Sequence, residues 1–173
     1  TWYHVFAIIN SGSYDVYFDT SPTAAKAPAG TTAHRYIGSF LTDASAYILK
    51  FTQVGNRFEW WILRQDLTSG TATTPTLITV STPLGFSVTG EFVTFVTPNA
   101  AGDAIYVGTA NSSGTISSYN KGPVAAQQSS RLITTIFTNT SSQIKYNVDS
   151  ASDAGSVQTY AYTNPHVSPQ ASE

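Results

Sequence analysis

The chain has 173 residues, of which 41% are hydrophobic and only 10% are charged, whereas an average globular domain is roughly 25% charged. This length supports one sizeable hydrophobic core rather than two, and a net charge of −2, from 8 basic and 10 acidic side chains, provides no basic field for a nucleic-acid backbone. Because cysteine is absent, disulfide frameworks and thiolate zinc sites are excluded.

Short runs in which apolar and polar residues alternate predict β-strands along the whole chain. Residues 2–9 are apolar on both alternating faces, which predicts a central strand covered on two sides. Residues 14–20 alternate in the manner of a half-buried strand. Further strands are predicted at residues 35–41, 46–53, 57–64, 75–80, 86–97, 104–109, 131–138, 143–149 and 156–162. Helical periodicity is almost absent, so we expect an all-β fold, an antiparallel β-sandwich or jelly roll of roughly ten strands.

Glycine, asparagine and serine mark the turns between these strands. Residues 10–13 and 54–56 predict short hairpins, and Gly102-Asp103 predicts a third. Residues 110–130 are rich in Ser, Asn, Gly and Gln, which predicts one long exposed connection.

The chain contains no linker-like boundary, so we expect one domain over residues 1–163. Pro165 and Pro169 indicate an extended or frayed tail over residues 164–173. Because methionine is absent, we expect residue 1 to follow a cleavage site or a longer chain.

Aromatic residues make up 13% of the chain and are the main candidates for ligand or interface contacts. Trp60 and Trp61 are neighbours in a predicted strand, so their side chains should point to opposite faces. An exposed indole would be a platform for a sugar or an anchor for a subunit interface; the alternative is a strand in which both indoles are packed. Tyr119 in the long connection, and Tyr160 and Tyr162 on one face of the last strand, are further candidates.

Titratable residues show no spacing typical of a catalytic or metal site. Glycoside hydrolysis requires two carboxylates that flank a cleft, roughly 5–9.5 Å apart, but Glu59 and Glu91 look structural in their strand and turn contexts. His4 lies among apolar neighbours, which favours a core histidine over a ligand or a base. The sequence therefore predicts no enzyme activity, no cofactor and no metal ion.

Six short motifs follow one another in the first third of the chain. They are Trp-Tyr-His-Val-Phe, Asp-Val-x-Phe-Asp-Thr-Ser, Pro-Ala-Gly, Arg-x-Ile-Gly-Ser, Thr-Asp and Ile-x-x-Phe-x-Gln-x-Gly, at residues 2–6, 15–21, 28–30, 35–39, 42–43 and 48–55. In this order they resemble a segment of bacteriophage and prophage virion proteins of the tail-fibre or tailspike type.

The resemblance implies a non-enzymatic β-sandwich module exposed on a virion that is assembled in the host bacterial cytoplasm. Such modules are commonly homotrimers, so the implied partners are further copies of the chain, other virion proteins and a host cell-surface polysaccharide. Neither nucleic-acid binding nor membrane insertion is expected.

Three other functions remain open. A capsid decoration or head-fibre protein would have the same fold and trimer, with the shell as its partner. A carbohydrate-binding module of a secreted bacterial protein would be a monomer with one aromatic platform. An enzyme would require a pair of carboxylates that converge in a pocket.

Overall fold

The computed structural model of the protein describes residues 1–111, 118–121 and 130–167. Every strand pairing in this part of the chain is antiparallel, and none of its residues is helical. The all-β prediction is therefore confirmed. The twelve strands are β1 (Trp2–Asn10), β2 (Ser13–Asp19), β3 (Thr31–Leu41), β4 (Phe51–Val54), β5 (Arg57–Gly70), β6 (Thr76–Thr79), β7 (Thr89–Thr97), β8 (Ala104–Thr109), β9 (Ser118–Lys121), β10 (Ser130–Phe137), β11 (Gln143–Val148) and β12 (Ala154–Thr163).

The strands form three sheets, with the orders β2-β1-β3, β10-β7-β12-β5-β4 and β6-β11-β8-β9. The five-stranded and four-stranded sheets contribute side chains to one shared core. Its buried members are Val80, Phe92, Val96, Ile105, Val107, Ile136, Ile144, Tyr146, Val148 and Val157. This packing is consistent with the predicted β-sandwich, whereas the jelly-roll strand order is not confirmed.

The three-stranded sheet was not predicted as a separate unit. In β1, His4, Phe6 and Ile8 point inward and are buried, while the alternating residues remain half-buried. The strand lies in the centre of its sheet, as predicted. However, the described residues cover only one of its two apolar faces completely.

An aromatic junction of Trp2, Phe58, Trp60 and Tyr162 joins the three-stranded sheet to the sandwich. Trp2 of β1 lies 5.9 Å from Trp60 and 6.2 Å from Tyr162, measured between ring centroids. Phe58 of β5 stacks on Tyr162 of β12 at 4.8 Å with an interplanar angle of 8°. Buried aromatic side chains provide the largest apolar contact areas of any residues, so this junction fixes where the third sheet sits.

Two of the three predicted hairpin turns are confirmed, and the third is wrong. Ser11 and Gly12 have φ values of 48° and 82° and join β1 to β2 in a two-residue loop, as a type I′ turn requires. Gly55, with φ 59°, turns the chain from β4 into β5. Gly102 also lies in a turn, but it leads from β7 to β8, which belong to different sheets.

Two predicted segments need correction. The strand predicted at residues 46–53 begins only at Phe51, because the Asp43 carboxylate accepts the N–H groups of Ser45 and Tyr47 at 2.8 and 2.9 Å and holds a turn. Residues 118–121 of the predicted connection form β9, which pairs with β8. Residues 112–117 and 122–129 lie outside the described residues.

The predicted tail begins with residues that still pack on the fold. Asn164 and Val167 are both buried. The Asn164 amide donates to the Tyr36 hydroxyl at 3.0 Å, and Val167 packs beside the aromatic junction. Residues 168–173 lie outside the part of the chain that the structure describes.

Candidate functional site

A groove opens where the chain passes from the three-stranded sheet to the five-stranded sheet. Segment 48–50 bonds to the end of β3, where the Leu49 N–H donates to the Leu41 carbonyl at 2.8 Å. From Lys50 onward the chain bonds to β5 instead. The Lys50 carbonyl accepts the Trp61 N–H at 3.2 Å, and the strand pairing begins with Phe51 opposite Trp60. The strand β5 continues to Gly70. On the side of β5 that faces away from β12, no described strand pairs with it beyond the end of β4. The gap between segment 48–50 and this open edge is the groove.

The groove encloses a volume of about 340 Å³, near the lower end of the range for small-molecule sites, roughly 300–1,000 Å³. Apolar and basic side chains line it. They are Ile48, Leu49, Lys50, Trp60, Trp61, Ile62 and Arg64.

The two tryptophans occupy opposite environments. Trp60 is 4% exposed and Trp61 is 66% exposed, as expected for neighbours in a strand. The Trp61 Nε1–H donates to the Thr52 hydroxyl at 2.9 Å, and the Lys50 Nζ lies 5.6 Å from the Trp61 ring centroid. Trp61 is therefore a fixed, exposed aromatic surface, whereas Trp60 belongs to the aromatic junction.

The three candidate tyrosines have different positions from those predicted. Tyr162 is 1% exposed and packs in the aromatic junction, so it is not a surface contact. Tyr160 is half-buried beneath the Arg57 guanidinium, 5.6 Å from the ring centroid. A bulge in β12 after Thr159 breaks the alternation that would have put Tyr160 and Tyr162 on one face. Tyr119 lies in β9 rather than in a connection, and its side chain is outside the described part.

Glu59 and Glu91 meet in space, but both bind Arg57. The Arg57 Nε and Nη2 donate to the two oxygens of Glu91 at 2.9 and 3.0 Å, and Nη1 donates to Glu59 at 2.6 Å. The guanidinium holds the pKa of Glu59 below its usual range, and the two carboxylates raise the pKa of Arg57. A glycosidase acid needs a raised pKa, so this cluster has the wrong electrostatics for that chemistry.

His4 lies in a buried hydrogen-bond chain. The Asn164 amide donates to the Tyr36 hydroxyl at 3.0 Å, Tyr36 lies 2.6 Å from the Ser39 hydroxyl, and Ser39 lies 2.8 Å from His4 Nδ1. Burial raises the pKa of Tyr36 to about 12. His4 is 0% exposed, and its Nε2 has no partner among the described residues. The serine and histidine are thus enclosed and lack the orienting carboxylate of a nucleophile–base pair.

Metal and membrane features are also missing from the described residues. In that part of the chain, no three His, Cys, Asp or Glu side chains gather as metal ligands would. No helix there has the length and apolar character needed to cross a bilayer.

No protein-family model matches the chain, and no curated protein matches it. The side chains of the groove are therefore the basis on which a function is assigned.

The sequence identified Trp61 but missed its neighbours Lys50, Ile62 and Arg64. One signal was available for Lys50: the turn at residues 54–56 fixes the register of the hairpin, which puts Lys50 opposite Trp61. No signal pointed to Arg64, because the predicted strand 46–53 would have covered that edge of β5.

The burial of His4 predicts a loss of stability in acid. Burial lowers the pKa of His4 from 6.5 to about 4, although the charge of Asp19 opposes this shift. Between about pH 6.5 and 4 the unfolded chain therefore binds a proton that the folded chain does not. The resulting contribution, roughly 3 kcal/mol, is fully present above pH 6.5 and is lost as the pH falls to 4.

Urea unfolding at pH 7.5, 5.5 and 4.5 measures this effect. The His4→Gln variant should show a flatter dependence of stability on pH than the wild type, and the same substitution at the exposed His166 is the matched control. Equal slopes for the wild type and His4→Gln would contradict the prediction.

Proposed function

We propose that the chain is a non-enzymatic attachment module that binds a glycan in the groove beside Trp61. The observation that carries this proposal is an indole that is 66% exposed and lies at the edge of a cavity of about 340 Å³. The indole is held in place by the hydrogen bond that its Nε1–H donates to the Thr52 hydroxyl. A flat apolar ring with a polar edge suits the face of a pyranose, which is itself apolar with polar hydroxyls at its rim.

Binding without turnover is supported by the residues around the groove. Among the described residues, its lining contains no carboxylate, histidine or hydroxyl side chain. The nearest glutamate along the strand, Glu59, is paired with Arg57. Acid–base or nucleophilic chemistry would need such groups within hydrogen-bond reach of the ligand.

The biological setting that we propose is a phage tail fibre or tailspike, with a host-surface polysaccharide as the ligand. This step rests on the resemblance of residues 2–55 to virion proteins. Weak single sites would then give firm attachment through multivalency, because several copies engage one surface together.

Self-association is proposed through the outer face of the three-stranded sheet. Tyr14, Val16 and Phe18 of β2 are 90%, 61% and 57% exposed, and Tyr3 stacks on Phe40 beside them at 5.2 Å. Exposed apolar patches of a few hundred Å² mark interaction surfaces. An apolar patch can pack against the same patch of another copy, so we propose further copies of the chain as its partners, in the trimer that the resemblance implies.

Replacing Trp61 with Ala should weaken glycan binding about tenfold or more, because the stacking surface is lost. A glycan array would select the ligand, and isothermal titration calorimetry would compare the variants. Phe137→Ala is the matched control, since Phe137 is 64% exposed on the opposite edge strand, β10. The proposal fails if the wild type binds no glycan, or if Trp61→Ala binds as tightly as the wild type.

Light scattering after size exclusion should give a mass near three times 18.5 kDa. Phe18→Ser should shift the mass toward one chain because a polar side chain weakens the apolar contact, whereas Phe137→Ser should leave it unchanged. A wild-type monomer at high concentration would exclude a self-sufficient trimer and favour a lone carbohydrate-binding module.

A further inference from the structure

The charges of the groove are all of one sign. Its lining includes two cations, Lys50 and Arg64, and no acid, although the chain as a whole carries a net charge of −2. Neither cation forms an ion pair within the described residues. Lys50 lies beside the platform, with its Nζ 5.6 Å from the Trp61 ring centroid.

Arg64 carries a donor that its own chain leaves unsatisfied. Its Nε is buried and has no hydrogen-bond partner in the part of the chain that the structure describes. A buried donor without an acceptor is unfavourable, so an acceptor supplied by a ligand would be favoured at this position.

The acids nearest in sequence are already engaged. The Asp66 carboxylate accepts the Ser81 hydroxyl at 2.7 Å and the Thr159 hydroxyl at 2.5 Å. Glu59 is bound by Arg57 at 2.6 Å. Neither carboxylate forms an ion pair with Lys50 or Arg64 in the part of the chain that the structure describes.

We infer that the groove takes an acidic saccharide, a sugar chain that contains hexuronic acid units. The ring lies against Trp61, and its carboxylate binds Lys50 and Arg64. Guanidinium groups match the planar geometry of a carboxylate, and the positive lining favours an anion over a neutral hexose. This inference rests on the proposed glycan-binding function and names its ligand class.

Three uronic polysaccharides, each paired with its carboxyl-reduced form, provide the test. Affinity electrophoresis with polygalacturonate, alginate and hyaluronan should show at least one acidic polymer that retards the protein at a concentration about tenfold lower than its neutral counterpart does. Arg64→Gln and Lys50→Gln should each remove this preference, so that the acidic polymer and its carboxyl-reduced form retard the variant at similar concentrations. Arg35→Gln is the control, because it removes one exposed positive charge outside the groove.

The outcomes separate this inference from the function on which it rests. If acidic and reduced polymers bind equally and Trp61→Ala weakens both, the glycan site stands and the acidic ligand is excluded. If Arg35→Gln weakens the acidic interaction as much as Arg64→Gln does, the preference is general electrostatics and the inference fails. If none of the acidic polymers binds, the inference also fails, and the glycan array then decides whether the proposed function fails with it.

Discussion

The aromatic junction of Trp2, Phe58, Trp60 and Tyr162 is the contact on which the rest of the structure depends. It packs the first strand of the chain against β5 and β12 of the sandwich. Fully burying one large apolar side chain contributes about 1.5–3 kcal/mol, so several rings in contact dominate the local energetics. A second set of ring contacts supports it, because Phe86, just before β7, lies 4.7 Å from Tyr36 and 5.3 Å from His4 between ring centroids.

The exposed surfaces follow from this packing. Once Trp60 turns into the junction, the twofold period of a strand sends Trp61 to the other side of β5. The chain also leaves one sheet and enters another between Leu49, which bonds to β3, and Lys50, which bonds to β5. The groove beside Trp61 lies at this crossing. The three-stranded sheet likewise buries one apolar face on the sandwich and leaves the other, with Tyr14 and Phe18, available. Both proposed contact surfaces therefore arise from the way two sheet systems are joined.

The sequence predicted those features that local chemistry determines. Alternation identified most strands, and turn residues identified the hairpins at residues 10–13 and 54–56. The alternation of apolar and polar residues does not indicate which strands share a sheet. The third sheet, and the turn at Gly102 that leads from one sheet to another, were therefore missed. A bulge after Thr159 changed the facing of Tyr160 relative to Tyr162. Of the residues that line the groove, Trp60 and Trp61 were predicted as candidates, whereas Arg64 was missed because it reaches the groove through tertiary structure.

Tryptophan fluorescence with acrylamide as a quencher tests the central claim that ligand binds on Trp61. The chain has three tryptophans, and Trp61 is the most exposed of them. A glycan at saturating concentration should protect Trp61 from acrylamide and so reduce the quenching of its emission. In the Trp61→Phe variant, both the emission of Trp61 and its protection by the glycan should be lost. Full glycan binding with unchanged quenching would place the ligand elsewhere and contradict the account.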